Sequence, residues 1–334
     1  MLTWAKYVVK RLPYAVFLPL FLLHSRLNEA RGWEAARRKH QIPLLTAINL
    51  ERVKHSDTVF LLGSGPSINQ ISSARWRVIG AHDSIACNFW LCHAFVPRIY
   101  FFELIDRAES PGEYNRFLEL TRARAADYEP TLKIVSELCP ERAAMFSDLS
   151  PSWLQSVYTF VPVRLAARNN LEFASGIRYL KSKGVFRAST RIRTLFKYGT
   201  SLTAMVALAI MMQYRRIVLC GIDLNTSVYF HGDASLYPQA TSPSTAPKFL
   251  AQQDVAWRIK LDSVLKELKC LVLDPEGIEI YVENRSSALW PAIAEAPKEL
   301  FEGEVQPTKP RFGTVRERSG EGRFPKVDPA VYDS

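Results

Sequence analysis

Short apolar runs alternate with longer segments of helical character, and this alternation predicts an α/β fold. The runs expected to form buried strands are Thr58–Leu62, Ser84–Asn88, Arg98–Phe102, Thr131–Val135, Arg216–Cys220 and Cys270–Leu273. Helices are expected over the Ala-rich segment Gly199–Gln213 and over Phe249–Glu267. Because strands and helices follow one another in turn, the pattern favours a doubly wound, mainly parallel, Rossmann-like sheet.

The pattern changes at both ends of this core. Residues 51–302 are predicted to form the α/β catalytic domain, with a mobile lid loop at about 226–248 that is rich in Ser, Thr, Pro and Ala. The segment 303–334 is poor in apolar residues and rich in Pro, Gly, Arg and Glu, so it is predicted to be a disordered tail. Residues 1–50 are predicted to be a membrane-associating segment followed by a linker.

The N-terminal apolar stretch Pro13–Leu23 has basic neighbours. A spanning helix needs about 20 apolar residues, and this stretch is shorter and contains two prolines. No small-residue cleavage pattern follows it, as a signal peptide would require. An anchor lying on the membrane surface, with Lys and Arg meeting anionic headgroups, is the preferred interpretation. The alternative is a helix that packs on the protein's own core.

Net charge and cysteine content indicate which partners and which cellular compartment the protein has. The 334 residues carry a formal net charge of +10, and the first forty residues hold several of the positive charges around the apolar stretch. This distribution favours a membrane surface over nucleic acid, since no stripe of basic and aromatic residues occurs. Five scattered cysteines without a C-x-x-C pair indicate buried free thiols in a reducing compartment, with neither disulfides nor a zinc site. We therefore expect a cytoplasmic protein, peripheral on the inner face of the cell membrane.

The strongest local feature follows the first predicted strand. Gly63-Ser64-Gly65-Pro66-Ser67 allows a sharp turn and a close approach of backbone to ligand. Ser67 is expected to cap the next helix, whose free N–H groups would face an anion. Ile68 stands where a dinucleotide fingerprint needs its third glycine, and the Walker A lysine is absent. The loop therefore predicts a nucleotide cradle of another kind or, alternatively, only a tight turn.

Polar residues follow the other predicted strands. Ligands of open α/β sheets bind at the carboxyl ends of strands, so these residues are expected to mark one rim. They are Asn88, Glu103, and Gly221, Asp223 and Asn225 after the fifth run. Thr200 and Ser201 open the Ala-rich helix. One of these two hydroxyls is expected to cap it, and both could form a second cradle for phosphate or carboxylate.

The loop after Asp223 holds the candidate catalytic side chains. Tyr229, His231 and Asp233 lie in it, and a histidine can act as general base near neutral pH. The alternative for His231 is an ordinary surface position.

In series, these motifs resemble those of the bacterial sialyltransferases of glycosyltransferase family forty-two and related envelope-polysaccharide enzymes. The resemblance covers roughly residues 57–275. It rests on G-x-G-P-S, then Cys87-Asn88, then Thr200-Ser201 before an Ala-rich helix, then Gly221-Ile222-Asp223 and finally Asp274-Pro275. The resemblance implies an enzyme that transfers an acidic sugar from a CMP-activated donor with inversion, without a metal and with no further cofactor. The acceptor would be a glycan or glycolipid of lipopolysaccharide or capsule.

The resemblance also implies residue roles. Ser64, Gly65 and Ser67 would contact the nucleotide or its phosphate, Asn88 the donor, and Thr200 and Ser201 a carboxylate or phosphate. Asp223 would organise the cytidine-side loop, and the Tyr229 hydroxyl would help the phosphate to leave, since phenol donors must stabilise it without a metal.

This chain departs from the family at three places. The family histidine would fall near Phe249, where none stands, so His231, Asp233 or Asp254 could take the proton. Glu103 replaces an asparagine, and Tyr198 or Lys197 an arginine. Two alternatives therefore stay open: a pterin diphosphokinase-like enzyme with Mg²⁺ on Asp223, Asp233 and Glu103, and a catalytically inactive nucleotide-binding assembly protein. A homo-oligomer is possible in either case.

Overall fold

The described part of the chain covers most of the predicted catalytic domain. The computed structural model describes residues 13–138, 142–226, 228–233, 235–237 and 259–302, without the side chains of residues 24–32 and 137. The predicted tail, most of the predicted lid, residues 1–12 and the first part of the predicted helix 249–267 lie outside the described residues.

One parallel sheet organises the fold. Its strands are β1 (Thr58–Leu62), β2 (Asp83–Cys87), β3 (Ile99–Glu103), β4 (Leu132–Glu137), β5 (Val157–Thr159), β8 (Arg216–Cys220) and β9 (Glu279–Val282). Their order across the sheet is β5-β4-β3-β2-β1-β8-β9, and every neighbouring pair is parallel. A small parallel pair is formed by β6 (Val161–Val163) and β7 (Thr194–Phe196).

Helices cover both faces of this sheet. They are α1 (Tyr14–Lys39), α2 (Ser73–Ala81), α3 (Pro111–Ala123), α4 (Pro151–Leu154), α5 (Asn170–Ser182), α6 (Ser201–Met211), α7 (Leu261–Leu268) and α8 (Glu299–Glu302). Successive strand residues point to opposite faces. Accordingly Val59 and Leu61 belong to the core beneath α5 and α6, while Phe60 and Leu62 belong to the core beneath α2 and α3. The predicted doubly wound α/β class is confirmed.

The N-terminal apolar stretch and the polar segment after it form one helix, α1, with Pro19 inside it. Leu18 and Leu22 of this helix are buried in the core that also holds α5 and α6, and Trp33 is buried in the other core. Part of the predicted membrane-associating segment therefore packs on the protein itself. None of the described helices is both long enough and apolar enough to cross a membrane.

The last predicted strand is wrong. Cys270–Leu273 lies in a π-helical turn, Lys269–Leu273, that continues α7. A short apolar run cannot by itself distinguish a strand from a buried helix. Here Leu265, Leu268 and Val272 are buried at helical spacing, and the edge strand is β9 instead. Asp274-Pro275 begins a short 3₁₀ turn and does not end a strand.

The four described cysteines are free thiols. Cys220 is buried and Cys87 and Cys92 are partly buried, as the composition predicts, but Cys270 is exposed.

Candidate active site

The chain changes direction across the sheet at β1. From β1 it runs outward through β2 to β5, and it later returns to add β8 and β9 on the other side. In open parallel sheets such a switch point leaves a crevice at the carboxyl ends of the strands, where ligands bind. Here that point lies between the loop after β1 and the loop after β8.

These two loops are joined by backbone hydrogen bonds. The Gly63 N–H donates to the Cys220 carbonyl at 2.7 Å, and the Gly65 N–H donates to the Gly221 carbonyl at 2.8 Å. A Cβ at Gly63 or Gly65 would overlap the Gly221 carbonyl, and Gly221 itself has a φ of +65°. The glycines are therefore required for contact between the loops, whatever ligand approaches them.

A carboxylate of the protein fills the predicted anion position beside Ser67. The Ser67 N–H donates to Asp223 Oδ2 at 3.0 Å, and its hydroxyl donates to Asp223 Oδ1 at 2.6 Å. Both side chains are buried. Ser67 does not cap a helix, because Gly65 precedes the 3₁₀ turn Pro66–Gln70 and Ser72 caps α2. We call Gly65, Ser67, Gly221 and Asp223 the Asp223 corner.

Ser64 is the polar residue that this corner leaves available. Its carbonyl accepts from the Phe230 N–H at 2.8 Å. Within the described residues neither its N–H nor its hydroxyl has a hydrogen-bond partner, and the side chain is partly exposed. Ser64 can therefore present two donors to a ligand, while Pro66 has no N–H to offer.

Asn88 directly follows β2 and has an unusual backbone conformation. Its φ is +52°, which asparagine tolerates better than most residues. The Tyr100 hydroxyl donates to the Asn88 carbonyl. The side-chain Oδ1 is buried and has no partner among the described residues. An unsatisfied buried amide oxygen costs stability, so this atom is suited to accept a hydrogen bond from a ligand.

A second carboxylate lies at the end of β3. Oε1 of Glu103 accepts from the Lys197 ammonium at 3.0 Å, from the Ser201 hydroxyl at 2.8 Å and from the Ser136 hydroxyl at 3.4 Å. Lys197 and Ser201 are buried, whereas the Glu103 side chain is 26% exposed. Within the described part of the chain no partner is found for Oε2. We call Glu103, Ser136, Lys197 and Ser201 the Glu103 corner.

Thr200 precedes α6 without capping it. Its side chain makes no cap hydrogen bond, and Oγ1 is a buried atom without a partner among the described residues. Ser201 does not cap the helix either, since its hydroxyl is bonded to Glu103. The expected hydroxyl cap is therefore wrong, and Thr200 remains available to a ligand.

The loop after β8 places Tyr229 against His231. The two rings stack, with centroids 5.3 Å apart, and the His231 ring also lies 5.7 Å from Phe89 beside Asn88. The loop is fixed to the glycine loop, since Asn69 donates to the Phe230 carbonyl at 3.0 Å. This arrangement brings Tyr229 and His231 to the end of β2.

Burial sets the protonation of both rings. Desolvation lowers the pKa of His231 to about 4, so the imidazole is neutral near pH 7 and binds a proton weakly. Desolvation, followed by the charge of Glu113 and then Cys87, raises the pKa of Tyr229, which stays a phenol and can donate. Burial and then Glu103 raise the pKa of the Cys87 thiol to about 12. Cys87 therefore lies within electrostatic reach of both Glu103 and Tyr229.

Asp233 and Asn225 have roles in the loop itself. Oδ1 of Asp233 accepts from the Ser235 N–H at 2.9 Å and from its hydroxyl at 2.5 Å, and Asp233 is exposed. Asn225 is exposed and donates to the Ser286 carbonyl at 2.7 Å. Both contacts stabilise turns, and among the described residues no contact links either side chain to the Glu103 corner.

The carboxylates assigned to Mg²⁺ in the diphosphokinase alternative have separate partners. Asp223 is bonded to Ser67, Glu103 to Lys197, and Asp233 to Ser235. In the described ranges, no group of three His, Cys, Asp or Glu side chains is arranged to hold a metal ion. The observed contacts therefore give this alternative no direct support.

Sequence reasoning missed two members of the site. Ser136 follows the fourth strand run and could have been found by the same strand-end rule as Asn88. Asn69, whose amide holds the Tyr229 loop, has no such signal, because its partner is a backbone carbonyl far along the chain.

No known family model matches the sequence, and no curated protein matches it. Three solved sialyltransferase structures align with the chain at low similarity. A variant of the sialyltransferase Cst-II in complex with CMP has a TM-score of 0.40 and 18% identity, over 74% of this chain and 88% of that one. The monofunctional α-2,3-sialyltransferase Cst-I from Campylobacter jejuni has a TM-score of 0.39 and 17% identity, over 72% and 81% of the two chains.

The third is an α-2,3-sialyltransferase from Campylobacter jejuni in apo form, with a TM-score of 0.37 and 16% identity over 72% and 80% of the two chains. Similarity at this level carries no argument about the activity of the present chain.

Proposed function

We propose that this protein is a glycosyltransferase that takes an acidic sugar from a CMP-activated donor. One observation carries the proposal: the four motifs that are scattered along the sequence meet at the carboxyl edge of one parallel sheet. G-x-G-P-S, Cys87-Asn88 and Gly221-Ile222-Asp223 follow or end β1, β2 and β8 of this sheet, and Thr200-Ser201 reaches the same edge through the hydrogen bond from Ser201 to Glu103. The sugar would be sialic acid or a related keto-sugar acid, and the acceptor a surface glycan of lipopolysaccharide or capsule.

The atoms without partners among the described residues support a nucleotide-sugar ligand. Ser64 offers an N–H and a hydroxyl, Thr200 a hydroxyl, and Asn88 a buried amide oxygen. The first two can donate to phosphate or carboxylate oxygens, and Asn88 can accept from a sugar hydroxyl or a base amine. The phosphate contact assigned to Ser67 from the sequence passes in this proposal to Ser64, since both donors of Ser67 are bonded to Asp223.

The proposed chemistry needs one proton acceptor and one donor. The acceptor hydroxyl gives its proton to Oε2 of Glu103 as its oxygen bonds to the anomeric carbon. The bond from that carbon to the phosphate oxygen breaks, and its electron pair leaves with CMP. The Tyr229 phenol donates to the departing phosphate in place of a metal, and because the transfer is a single displacement it inverts the anomeric carbon.

Glu103 replaces His231 as the preferred base on geometric grounds. The His231 ring is partly buried and packs against Tyr229 and Phe89. The Asp233 carboxylate is bonded to Ser235 in its own turn. The Glu103 carboxylate is held by Lys197 and Ser201 through one oxygen, which leaves the other oriented and available.

Thermal unfolding with nucleotides tests the proposal. CMP and CDP at millimolar concentration are expected to raise the Tm, because a ligand that binds the native state alone stabilises it. Ser64→Asp should abolish the shift by placing a negative charge against phosphate. Ser110→Asp, at a residue that precedes α3 without a side-chain cap bond, is the matched control and should keep the shift.

Other results of the nucleotide and turnover assays would contradict or change the proposal. A shift with UDP or GDP alone would contradict the cytidine assignment, and no shift with any nucleotide would overturn the proposal. Release of CMP from CMP-sialic acid that continues in EDTA is expected. Saturable binding without turnover would favour the inactive assembly protein, which is consistent with the internal bonds of Ser67 and Ser201.

A further inference from the structure

Helix α1 carries apolar side chains on two opposite faces. Leu18 and Leu22 are 3% and 9% exposed and pack into the core. Val16, Leu20 and Leu23 are 49%, 47% and 56% exposed. Their spacing of four and then three residues aligns them along one side of the helix. We call Val16, Leu20 and Leu23 the outer stripe. Packing on the protein's own core accounts for the apolar side chains of Leu18 and Leu22. The outer stripe has no partner among the described residues.

A further exposed apolar side chain lies on the neighbouring helix α5. The Tyr14 hydroxyl donates to the Ala166 carbonyl at 2.9 Å, and the Arg168 guanidinium lies 5.9 Å from the Phe17 ring. The start of α5 therefore lies beside the start of α1. Leu171, in the first turn of α5, is 82% exposed, and the exposed Arg178 lies two turns further along the same face. Two adjacent helices therefore each carry exposed apolar side chains.

We propose that an anionic lipid surface covers the outer stripe. The argument is charge complementarity together with the chain that leads into α1. Residues 1–12 carry the cations Lys6, Lys10 and Arg11 together with Trp4 and Tyr7. Basic side chains are attracted to anionic headgroups, and Trp and Tyr favour the boundary between headgroups and acyl chains. A helix with apolar residues facing the lipid and cations beside them lies in the interface plane.

The surface also has a defined position relative to the candidate site. The Phe173 ring of α5 packs on the Tyr198 ring with centroids 4.9 Å apart, and Tyr198 lies two residues before Thr200. The start of α5 is therefore linked by direct packing to the segment that carries Thr200. Attachment through α1 and α5 would hold this part of the site near lipid-linked acceptors. The docking proposal itself does not depend on the proposed function, because lipid binding is measured without donor or acceptor.

Co-sedimentation of the full chain with vesicles tests the docking. We expect binding to vesicles that contain phosphatidylglycerol, weak binding to pure phosphatidylcholine, and loss of binding as salt screens the charges. Leu20→Asn combined with Leu23→Asn should weaken binding about tenfold or more, since the buried apolar area is lost. Because both side chains are about half exposed, the Tm should stay close to that of the unchanged protein.

The matched control is Leu224→Asn. Leu224 is 39% exposed outside the outer stripe, and its φ of +57° suits asparagine. Vesicle binding by this variant should equal that of the unchanged chain. Failure of the full chain to sediment with anionic vesicles would overturn the proposal, as would equal binding by the stripe variant. A concentration-dependent dimer that the stripe variant abolishes would assign the stripe to a second copy of the chain and would equally overturn it.

Discussion

The two corners of the candidate site use a carboxylate in different ways. Both oxygens of Asp223 are bonded to Ser67, and the side chain is 6% exposed. In the Glu103 corner, Lys197, Ser136 and Ser201 all contact Oε1, and the side chain is 26% exposed. The first carboxylate therefore stabilises a loop, and the second is held through one oxygen, while the other has no partner among the described residues.

This difference separates two meanings of an acidic residue at the end of a strand. A carboxylate that takes every nearby donor stabilises the backbone and removes those donors from ligand binding. A carboxylate with one oxygen in use is oriented and still able to accept a proton or hydrogen bond. Strand-end position alone does not distinguish the two.

The largest effect is expected for Asp223→Asn. The amide would turn an N–H₂ or a weaker acceptor towards the buried Ser67 N–H and hydroxyl, so we expect a loss of about 3 kcal/mol in the free energy of unfolding. Urea unfolding measures it. Asp57→Asn, at a carboxylate that is 57% exposed beside Lys54, is the control and should change little. An equally small effect at Asp223 would show that its bonds do not hold the loop.

The next effect compares two glycines. An Ala Cβ at position 65 would overlap the Asp223 carboxylate, whereas at Gly199 it meets nothing within 4 Å. We expect Gly65→Ala to cost about 2 to 3 kcal/mol. Gly199→Ala should cost about 1 kcal/mol, because a φ of +71° strains an L-residue. The Tm of each variant measures the order, and a reversed order would contradict the tight packing of the Asp223 corner.

Acid is expected to destabilise the folded protein through protonation of His231. Since the folded-state pKa is lowered from 6.5 to about 4, the unfolded chain binds the proton first as the pH falls. The contribution of neutral His231 to the free energy of unfolding is therefore fully present above pH 6.5 and is lost as the pH falls towards 4. Between pH 6.5 and about 5 the protein should lose about 2 kcal/mol of this free energy.

His231→Gln tests that assignment. Its stability should fall less steeply with acid than that of the unchanged protein in urea unfolding at several pH values. A residual slope of the same sign should remain, because burial also lowers the pKa of His93 to about 3. Identical slopes in the two proteins would show that His231 is not kept neutral by the fold.

The smallest effect on stability is expected for Glu103→Gln. The amide oxygen can still accept from Lys197 and Ser201, and the Glu103 side chain is 26% exposed, so we expect a cost of about 1 kcal/mol. Glu276→Gln is the matched control, because Glu276 lies 3.1 Å from Lys181 on the surface. A cost as large as that of Asp223→Asn would make Glu103 another structural carboxylate and end the contrast between the corners.

The fold was more predictable than the site. Thr58–Leu62 and Arg216–Cys220 match strands to the residue, because buried parallel strands read as unbroken apolar runs. Cys270–Leu273 has the same appearance and forms a π-helical turn, since burial on one helical face gives the same short run. Within the site, motif and strand-end position indicated which residues gather at the edge. Pairings such as Ser67 with Asp223, 156 residues apart, depend on tertiary contact and left no local signal.

The contact between Tyr14 and Ala166 joins residues 152 positions apart. A ribosome that adds roughly 5 to 20 residues per second needs on the order of ten to thirty seconds to make that interval. During that time the N-terminal helix leaves the exit tunnel before its docking surface has been synthesised, and both of its apolar faces are open. The order of synthesis therefore gives a nearby bilayer access to this helix before the finished domain covers one of its faces.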